Sequence, residues 1–337
     1  MIEVSNVVKD YGSLRAVDHI SFTVNEGEIV GFLGPNGAGK STTLKMLTDY
    51  LSPTSGTITI NGKDMKTDSL KIREWIGYLP EHNPLYEDMT PYDYLRFVAD
   101  IRNISDKVFN QRIVEVIDEC GIKEVINQQI GTLSKGYRQR VGLAQAILHD
   151  PKVIVMDEPT TGLDPNQILE IRDVIRRLGE KKTVILSSHI MQEVQAVCDR
   201  IIIINKGKII ADDKKEVLQS QLAGKTVLSL ELMADTPNFY DFRMIDPTLT
   251  IFNESNLKGN IWEVVLEYSN KVDLREKIAH FIAEKGWLIL GMQKQERSLE
   301  KIFHELTKDG YVAPVVDDKT QYIPQDIPAE TMEDTNE

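Results

Sequence analysis

Residues Gly34 to Thr42 read Gly-Pro-Asn-Gly-Ala-Gly-Lys-Ser-Thr, between the apolar run Ile29–Leu33 and a segment with Leu44, Leu47 and Leu51 on one helical face. Every fixed position of G-x-x-x-x-G-K-[ST] is filled, in the strand–loop–helix setting that gives the pattern its meaning. With no Cβ at Gly34, Gly37 and Gly39, backbone N–H groups can face a phosphate at close range, and the helix N-terminus adds its positive dipole end. Lys40 is expected to reach the β- and γ-phosphates of a nucleotide, and the Ser41 hydroxyl to ligate Mg²⁺. The loop Gly34, Pro35, Asn36, Gly37, Ala38, Gly39, Lys40, Ser41 and Thr42 is thus the expected nucleotide cradle. A glycine-rich turn without a ligand leaves the lysine and both flanks unexplained.

A second buried-type strand, Val153–Met156, ends in Asp157-Glu158. An Asp at the carboxyl end of such a strand, beside a phosphate loop, is placed to hold Mg²⁺. Glu158, next along, can orient and deprotonate an attacking water. Alone, such a pair is usually a solvated turn; the phosphate loop changes that reading. Between the two motifs lies Leu133 to Arg140, LSKGYRQR, where Ser134 and the backbone around Gly136 begin another helix of the kind that binds anions. Read without context it is an N-capped amphipathic helix. One nucleotide needs one γ-phosphate cradle, so a second makes sense if it completes a site on another subunit.

Charge and composition remove other classes. Across 337 residues, 39 Lys and Arg face 52 Asp and Glu, a net charge of −13, which disfavours a general nucleic-acid binder. Two cysteines, Cys120 and Cys198, lack metal-ligand spacing, so neither a disulfide framework nor a zinc site is expected; reduced thiols in a cytoplasmic protein are the simpler reading. The start, MIEVSNVVKDYG, is not a signal peptide. No apolar run is long enough to span a membrane, so any membrane role is expected to come through a partner.

Strand patterns at Ile2–Val8, Ile20–Val24, Ile29–Leu33, Thr57–Ile60, Val153–Met156 and Thr183–Ser187 alternate with helical ones, which predicts a parallel α/β sheet. From Pro91 to about Gly131 the pattern is helical and reads as an inserted subdomain, about residues 91–142. The polar stretch Ser220 to Lys225 marks a domain boundary, giving a nucleotide-binding domain over 1–220. A small α+β domain is expected over 226–309, with strands Val227–Leu232, Thr248–Asn253, Ile261–Tyr268 and Trp287–Gln293 and helices Val272–Lys285 and Leu299–Thr307. Residues 311–337, with seven carboxylates and one Lys, are expected to be a disordered acidic tail.

Over about residues 1–220 the chain resembles an ATP-binding cassette (ABC) ATPase, the motor subunit of an ABC transporter, with Walker A (Gly34–Thr42), signature (Leu133–Tyr137) and Walker B (Val153–Glu158) in the family's order. The resemblance implies an α/β P-loop fold with a mixed, mostly parallel sheet, an antiparallel β edge and a helical subdomain. It implies that Tyr11 stacks on adenine, that Asp164 in Gly162-Leu163-Asp164-Pro165 belongs to the loop facing a partner, and that His189 contacts the γ-phosphate. Glu81 occupies a position near Mg²⁺ where many members carry Gln, and Lys135 and Tyr137 stand where many have Gly and Gln. Two cassettes, as a homodimer or with a second cassette, are expected to sandwich two ATP molecules, each phosphate loop facing Ser134 and Gly136 of the other copy. The implied partner is a transmembrane permease on the inner face of the cell membrane, docked near Glu81–Thr90. The LSKGYRQR and YLPE variants resemble export-type and gliding-motility ATPases. The rival is a non-transport member of the class acting on ribosomes or DNA; a regulatory module without turnover would lack Glu158 or His189.

Overall fold

In the computed structural model, which describes residues 1–222, 225–235, 237–269 and 272–295, the chain opens with a hairpin, β1 (Ile2–Tyr11) and β2 (Leu14–Val24). Both strands run closer to the turn than Ile2–Val8 and Ile20–Val24, because the ladder continues through polar pairs such as Asp10↔Arg15 to Tyr11↔Leu14. Apolar alternation is blind to that extension, which sets Tyr11 at the end of the ladder. Strand β3 (Ile29–Leu33) leads into α1 (Lys40–Leu47), and β4 (Ser55–Ile60) and β5 (Lys63–Asp64) return to the hairpin. The expected antiparallel edge is therefore a separate four-stranded sheet of order β2-β1-β4-β5. Phe22 of β2 packs edge-on against Phe32 of β3, ring centroids 5.1 Å apart.

There follow α2 (Ser69–Trp75), β6 (Ile76–Leu79), α3 (Pro91–Ile101), α4 (Asp106–Cys120), α5 (Lys135–Ile147), β7 (Val153–Met156), α6 (Pro165–Gly179), β8 (Thr183–Ser188), α7 (Met191–Val197), β9 (Arg200–Asn205), β10 (Lys208–Lys214) and α8 (Lys215–Leu222). The main sheet has the order β10-β9-β3-β8-β7-β6 and is parallel except for β10. Strands β3, β7 and β8 are buried at every position, which is why they read as continuous apolar runs: a parallel sheet is covered on both faces. Their carboxyl ends share one edge, where open α/β sheets bind ligands. Strand β6 escaped the sequence reading because it is four residues long and includes Gly77. That glycine is required: a Cβ there would lie 2.1 Å from the Ala146 carbonyl oxygen of α5.

The helical subdomain is built from α3, α4, two short 3-10 turns and α5, which continues beyond residue 142 to Ile147. Helix α3 starts where the sequence says it should, with Pro91 at its first position and Thr90 Oγ1 accepting the Asp93 N–H at 3.2 Å.

His149, just past α5, is a structural rather than a ligand-binding histidine. Its Nε2–H donates to the Ile76 carbonyl at 3.0 Å, and Nδ1 is buried without a partner. Burial, assisted by the Arg102 and Lys182 cations, pushes its pKa down to about 4 from 6.5, against the weaker pull of the Ile76 bond and Asp150. The fold thus holds it neutral while the unfolded chain takes up a proton near pH 6.5. The stability it contributes is present above pH 6.5 and is lost as pH falls toward 4, by at most roughly 3 kcal/mol. Urea denaturation of wild type and His149→Gln across pH 7.5 to 4 is expected to give a flatter acid limb in the variant. Identical limbs would refute this source of acid lability.

After residue 225 come β11 (Lys225–Met233), β12 (Thr250–Lys258), β13 (Ile261–Ser269), α9 (Arg275–Glu284) and β14 (Leu288–Gln295), with a 3-10 helix at Phe239–Met244 that the sequence did not suggest. The sheet is antiparallel in the order β12-β13-β11-β14. Leu228, Leu230, Leu232, Phe242, Val264, Leu266, Ile278 and Ile282 form a core of their own. The strands and helix agree with expectation to within three residues at each end, except that β12 runs five residues past Asn253 to Lys258. The expected helix Leu299–Thr307 and the acidic tail 311–337 lie outside the described residues. Among the described residues no helix is long and apolar enough to cross a membrane.

Candidate nucleotide site

The loop after β3 closes as a cradle. Gly37 and Gly39 adopt φ of +79° and +108°, in the left-handed region that favours glycine. A Cβ at Gly34 would lie 2.3 Å from the Ile204 carbonyl oxygen, and one at Gly39 2.7 Å from that of Ala16, so a side chain at either would displace the loop. Ala38 N–H donates back to Pro35 O at 3.1 Å, and no hydrogen bond among the described residues engages the N–H groups of Gly37, Gly39, Lys40, Ser41 or Thr42. Free N–H groups at a helix start suit a phosphate. Lys40 is 5% exposed; its ammonium donates to Gly34 O at 2.9 Å and Pro35 O at 3.3 Å and pairs with Glu158 Oε1 at 3.2 Å.

The carboxyl ends of β7 and β8 complete this wall. Asp157 Oδ1 accepts the hydroxyls of Ser41 at 3.0 Å and of Ser187 at 2.7 Å. Ser187 Oγ in turn accepts the Glu158 N–H at 2.9 Å, which fixes the turn by which the chain leaves β7. Glu158 itself sits at φ +49°, a strained left-handed conformation for a residue with a side chain, of the sort that concentrates at functional sites. Its Oε2 contacts His189 Nδ1 at 2.8 Å and accepts the Thr161 hydroxyl at 3.1 Å. The backbone strain is thus repaid by a carboxylate held on three sides, by Lys40, His189 and Thr161.

Lys40, Glu158, Thr161 and His189 line one cleft of about 640 Å³, together with Tyr11, Leu14, Ala16, Asn36, Gly37, Gly39, Ser41, Thr42 and Glu81. Tyr11 is 45% exposed, and the Lys9 ammonium lies 5.4 Å from its ring centroid, so one face carries a cation and the ring can offer the other. Glu81 is exposed at the same cleft. Two residues on, Asn83 seats the loop on α5: its Nδ2 donates to Arg138 O at 3.3 Å, and a Cβ at Gly142 would come within 1.5 Å of that nitrogen.

Of the residues expected at the nucleotide, Gly34, Pro35 and Ala38 lie in the phosphate loop and Asp157 bonds to its Ser41, all without lining the cleft. Ser134, Gly136 and Asp164 belong to other elements and do not line it either. Ser134 caps α5, its Oγ accepting the Tyr137 N–H at 3.3 Å. Gly136 is buried against the Gln167 side chain, which a Cβ would approach to 2.6 Å. Asp164 caps α6 by accepting the N–H groups of Asn166 and Gln167, both at 3.0 Å. Gly162, in the loop before α6, lies against the Lys135 side chain of the signature, and no residue of 133–137 or 162–164 lines the cleft.

Ser187, Thr161, Leu14 and Ala16 are site residues that sequence reasoning missed. Ser187 had a readable signal, two consecutive serines, both fully buried, closing the run Thr183–Leu186 just ahead of His189. Leu14 and Ala16 had none, since only the longer hairpin brings them to the cleft.

The model of the ABC transporter family matches residues 17–161. The chain is 34% identical over 310 residues to the linearmycin resistance ATP-binding protein LnrL of Bacillus subtilis (strain 168), covering 91% of this chain and 98% of that protein. It is 31% identical over 319 residues to the bacitracin transport ATP-binding protein BcrA of Bacillus licheniformis, covering 93% and 99%. Among solved structures it is similar to the dimeric, post-hydrolysis ATP-binding cassette MJ0796 bound to ADP and Pi, with a TM-score of 0.57, 27% identity, and coverage of 64% of this chain and 98% of that one. Free loop N–H groups, a buried lysine and a carboxylate held against it are what ATP binding and hydrolysis require, and the chain belongs to the ATP-binding proteins of the ABC transporter family, cassettes that bind and hydrolyse ATP.

Proposed function

We propose that this chain is the ATPase subunit of an exporter, driving a separate transmembrane permease as two cassettes close on ATP and reopen after hydrolysis. The observation that carries the reading is the placement of Glu158, whose carboxylate lies 3.2 Å from the Lys40 ammonium and accepts from Thr161 at 3.1 Å in one cleft with the phosphate loop. The N–H groups of Gly37, Gly39, Lys40, Ser41 and Thr42, with the Lys40 ammonium, bind the β- and γ-phosphates. Glu158 takes the proton of the attacking water. His189 orients Glu158 and faces the γ-phosphate, and Tyr11 stacks on adenine through the ring face that Lys9 leaves open. Ser134, Gly136 and Asp164 act at the site of the opposite cassette.

The residues present fit a bound Mg²⁺: the Ser41 hydroxyl and Asp157 would hold it, with Glu81 lining the same cleft. The donor set of one hydroxyl and one carboxylate is the sparse one this ion takes when phosphates supply the rest, and the described residues hold no cluster of three metal-ligating side chains. When bound, Mg²⁺ neutralises the charge that develops on the phosphates.

Export is favoured because LnrL and BcrA, named for linearmycin resistance and bacitracin transport, match nearly the whole chain, the module after residue 225 included. The cassette comprises 1–220, its helical subdomain 91–142, and the accessory domain 226–309, supported by the separate core of the latter. The permease docks between the Glu81–Thr90 loop and the helical subdomain, where Asn83 already ties the loop to α5. The chain acts from the inner face of the membrane. Against a ribosomal or DNA-directed role stands the net charge of −13. Purification of the tagged chain from detergent-solubilised membranes is expected to yield a stoichiometric multi-spanning partner that raises its ATPase rate. Stimulation by ribosomes or DNA, and none by that partner, would favour the other role.

A further inference from the structure

One carboxylate oxygen behind the cleft joins the two loops that surround Glu158. Glu193 of α7 is 6% exposed, and among the described residues no basic side chain pairs with it. Its Oε2 accepts the Ser188 hydroxyl at 2.9 Å and also the Thr160 hydroxyl. Thr160 is the chain neighbour of Thr161, and Ser188 of His189. Thr161 and His189 are the two side chains on Glu158 Oε2. Ser188 Oγ additionally accepts the Ile190 N–H at 3.0 Å, so the same hydroxyl fixes the entry into α7.

Burying a carboxylate without a cation is costly unless hydrogen bonds hold its charge. Here both hydroxyls converge on one oxygen, and bonds to an ionised acceptor are stronger than neutral ones. The two arms reach that oxygen from different strands, Thr160 from the turn after β7 and Ser188 from the end of β8. We infer that Glu193 is a positioning residue for ATP hydrolysis, a buried anchor that holds Thr161 and His189 in register on Glu158. It is not among the cleft-lining residues, and its hydrogen bonds go to Thr160 and Ser188 and not to the phosphate loop, so it acts on the chemical step and not on nucleotide affinity. The inference rests on Glu158 being the base.

The test is steady-state ATPase kinetics on the full chain, with Glu158→Gln assayed in parallel. Glu193→Ala is expected to lower kcat about 10- to 100-fold, the cost of a misplacement near 1 Å, with KM for ATP within about threefold of wild type. In a His189→Ala, Thr161→Val background, measured under single-turnover conditions, Glu193→Ala should add less than about threefold, because both partners through which the residue acts are already removed. A merely structural role would cost the same factor in both backgrounds and raise KM with it. A kcat for Glu193→Ala within about twofold of wild type, beside an inactive Glu158→Gln, would overturn the anchor and leave the base intact. An active Glu158→Gln would overturn the base and, with it, the anchor. Should Glu193→Ala not fold, Ser188→Ala cuts one of the two ties and is expected to lower kcat about 10-fold at unchanged KM; a wild-type kcat there would overturn the proposal.

Discussion

Glu158→Gln is expected to bind ATP as the wild type does and to hydrolyse it about 10²–10⁴-fold more slowly, a barrier increase of roughly 3–5 kcal/mol. The amide keeps the volume of the carboxylate and can still accept from Thr161, whose hydroxyl lies 3.1 Å from Oε2. It cannot take a proton from water. The substitution also removes the Lys40–Glu158 pair of 3.2 Å, so Lys40 loses a competitor for its charge and phosphate affinity is not weakened. Binding without turnover should trap the ATP-bound dimer, visible as a doubled mass in sedimentation with ATP and absent without it. A variant retaining more than about a tenth of the wild-type rate would exclude Glu158 as the general base.

Ser134→Arg is expected to abolish hydrolysis, by about 10²-fold or more, while a single chain still binds ATP, because a group that meets developing phosphate charge contributes on that scale. The hydroxyl is not among the cleft-lining groups; it caps α5 through Tyr137 N–H at 3.3 Å. Losing that cap costs about 1 kcal/mol, too little to unfold the domain. Two cassettes closing head to tail would instead meet a bulky cation where a short hydroxyl belongs. Lys40→Ala is the contrast, since Lys40 lies within the cleft and its loss should weaken ATP binding to the single chain. ATP affinity measured on dilute chain, followed by ATPase rates at concentrations that permit dimerisation, separates the two. Equal loss of single-chain affinity in Ser134→Arg and Lys40→Ala would argue against the two-subunit sandwich.

Much of this architecture is dictated locally. Strands β3, β7 and β8 are buried on both faces, so each reads as an unbroken apolar run, and the loop glycines answer local needs, close backbone approach at Gly34 and Gly39 and a positive φ at Gly37 and Gly39. The pairing of Lys40 and Ser41 with the helix start is equally local, because the chemistry and the turn occupy the same nine residues. Thr90 and Pro91 announce α3 in the same way. What the sequence alone determined is therefore the phosphate loop and the apolar strands whose ends face it.

Contacts between distant residues were decided only in three dimensions. Strand β6 exists because Gly77 lets α5 approach within van der Waals reach, and the extension of β1 to Tyr11 follows from ladder pairing with β2, neither of which leaves a periodic trace. The grip on Asp157 by Ser187, 30 positions away, and on Glu158 by His189, 31 positions away, follows from the parallel register of β7 on β8. Glu193 shows the reason most clearly. In the sequence it is one acidic residue on a short helix, most simply solvated; in the fold packing α7 on β8 buries it, and the hydroxyls of Thr160, from the turn after β7, and of Ser188, from the end of β8, satisfy its carboxylate.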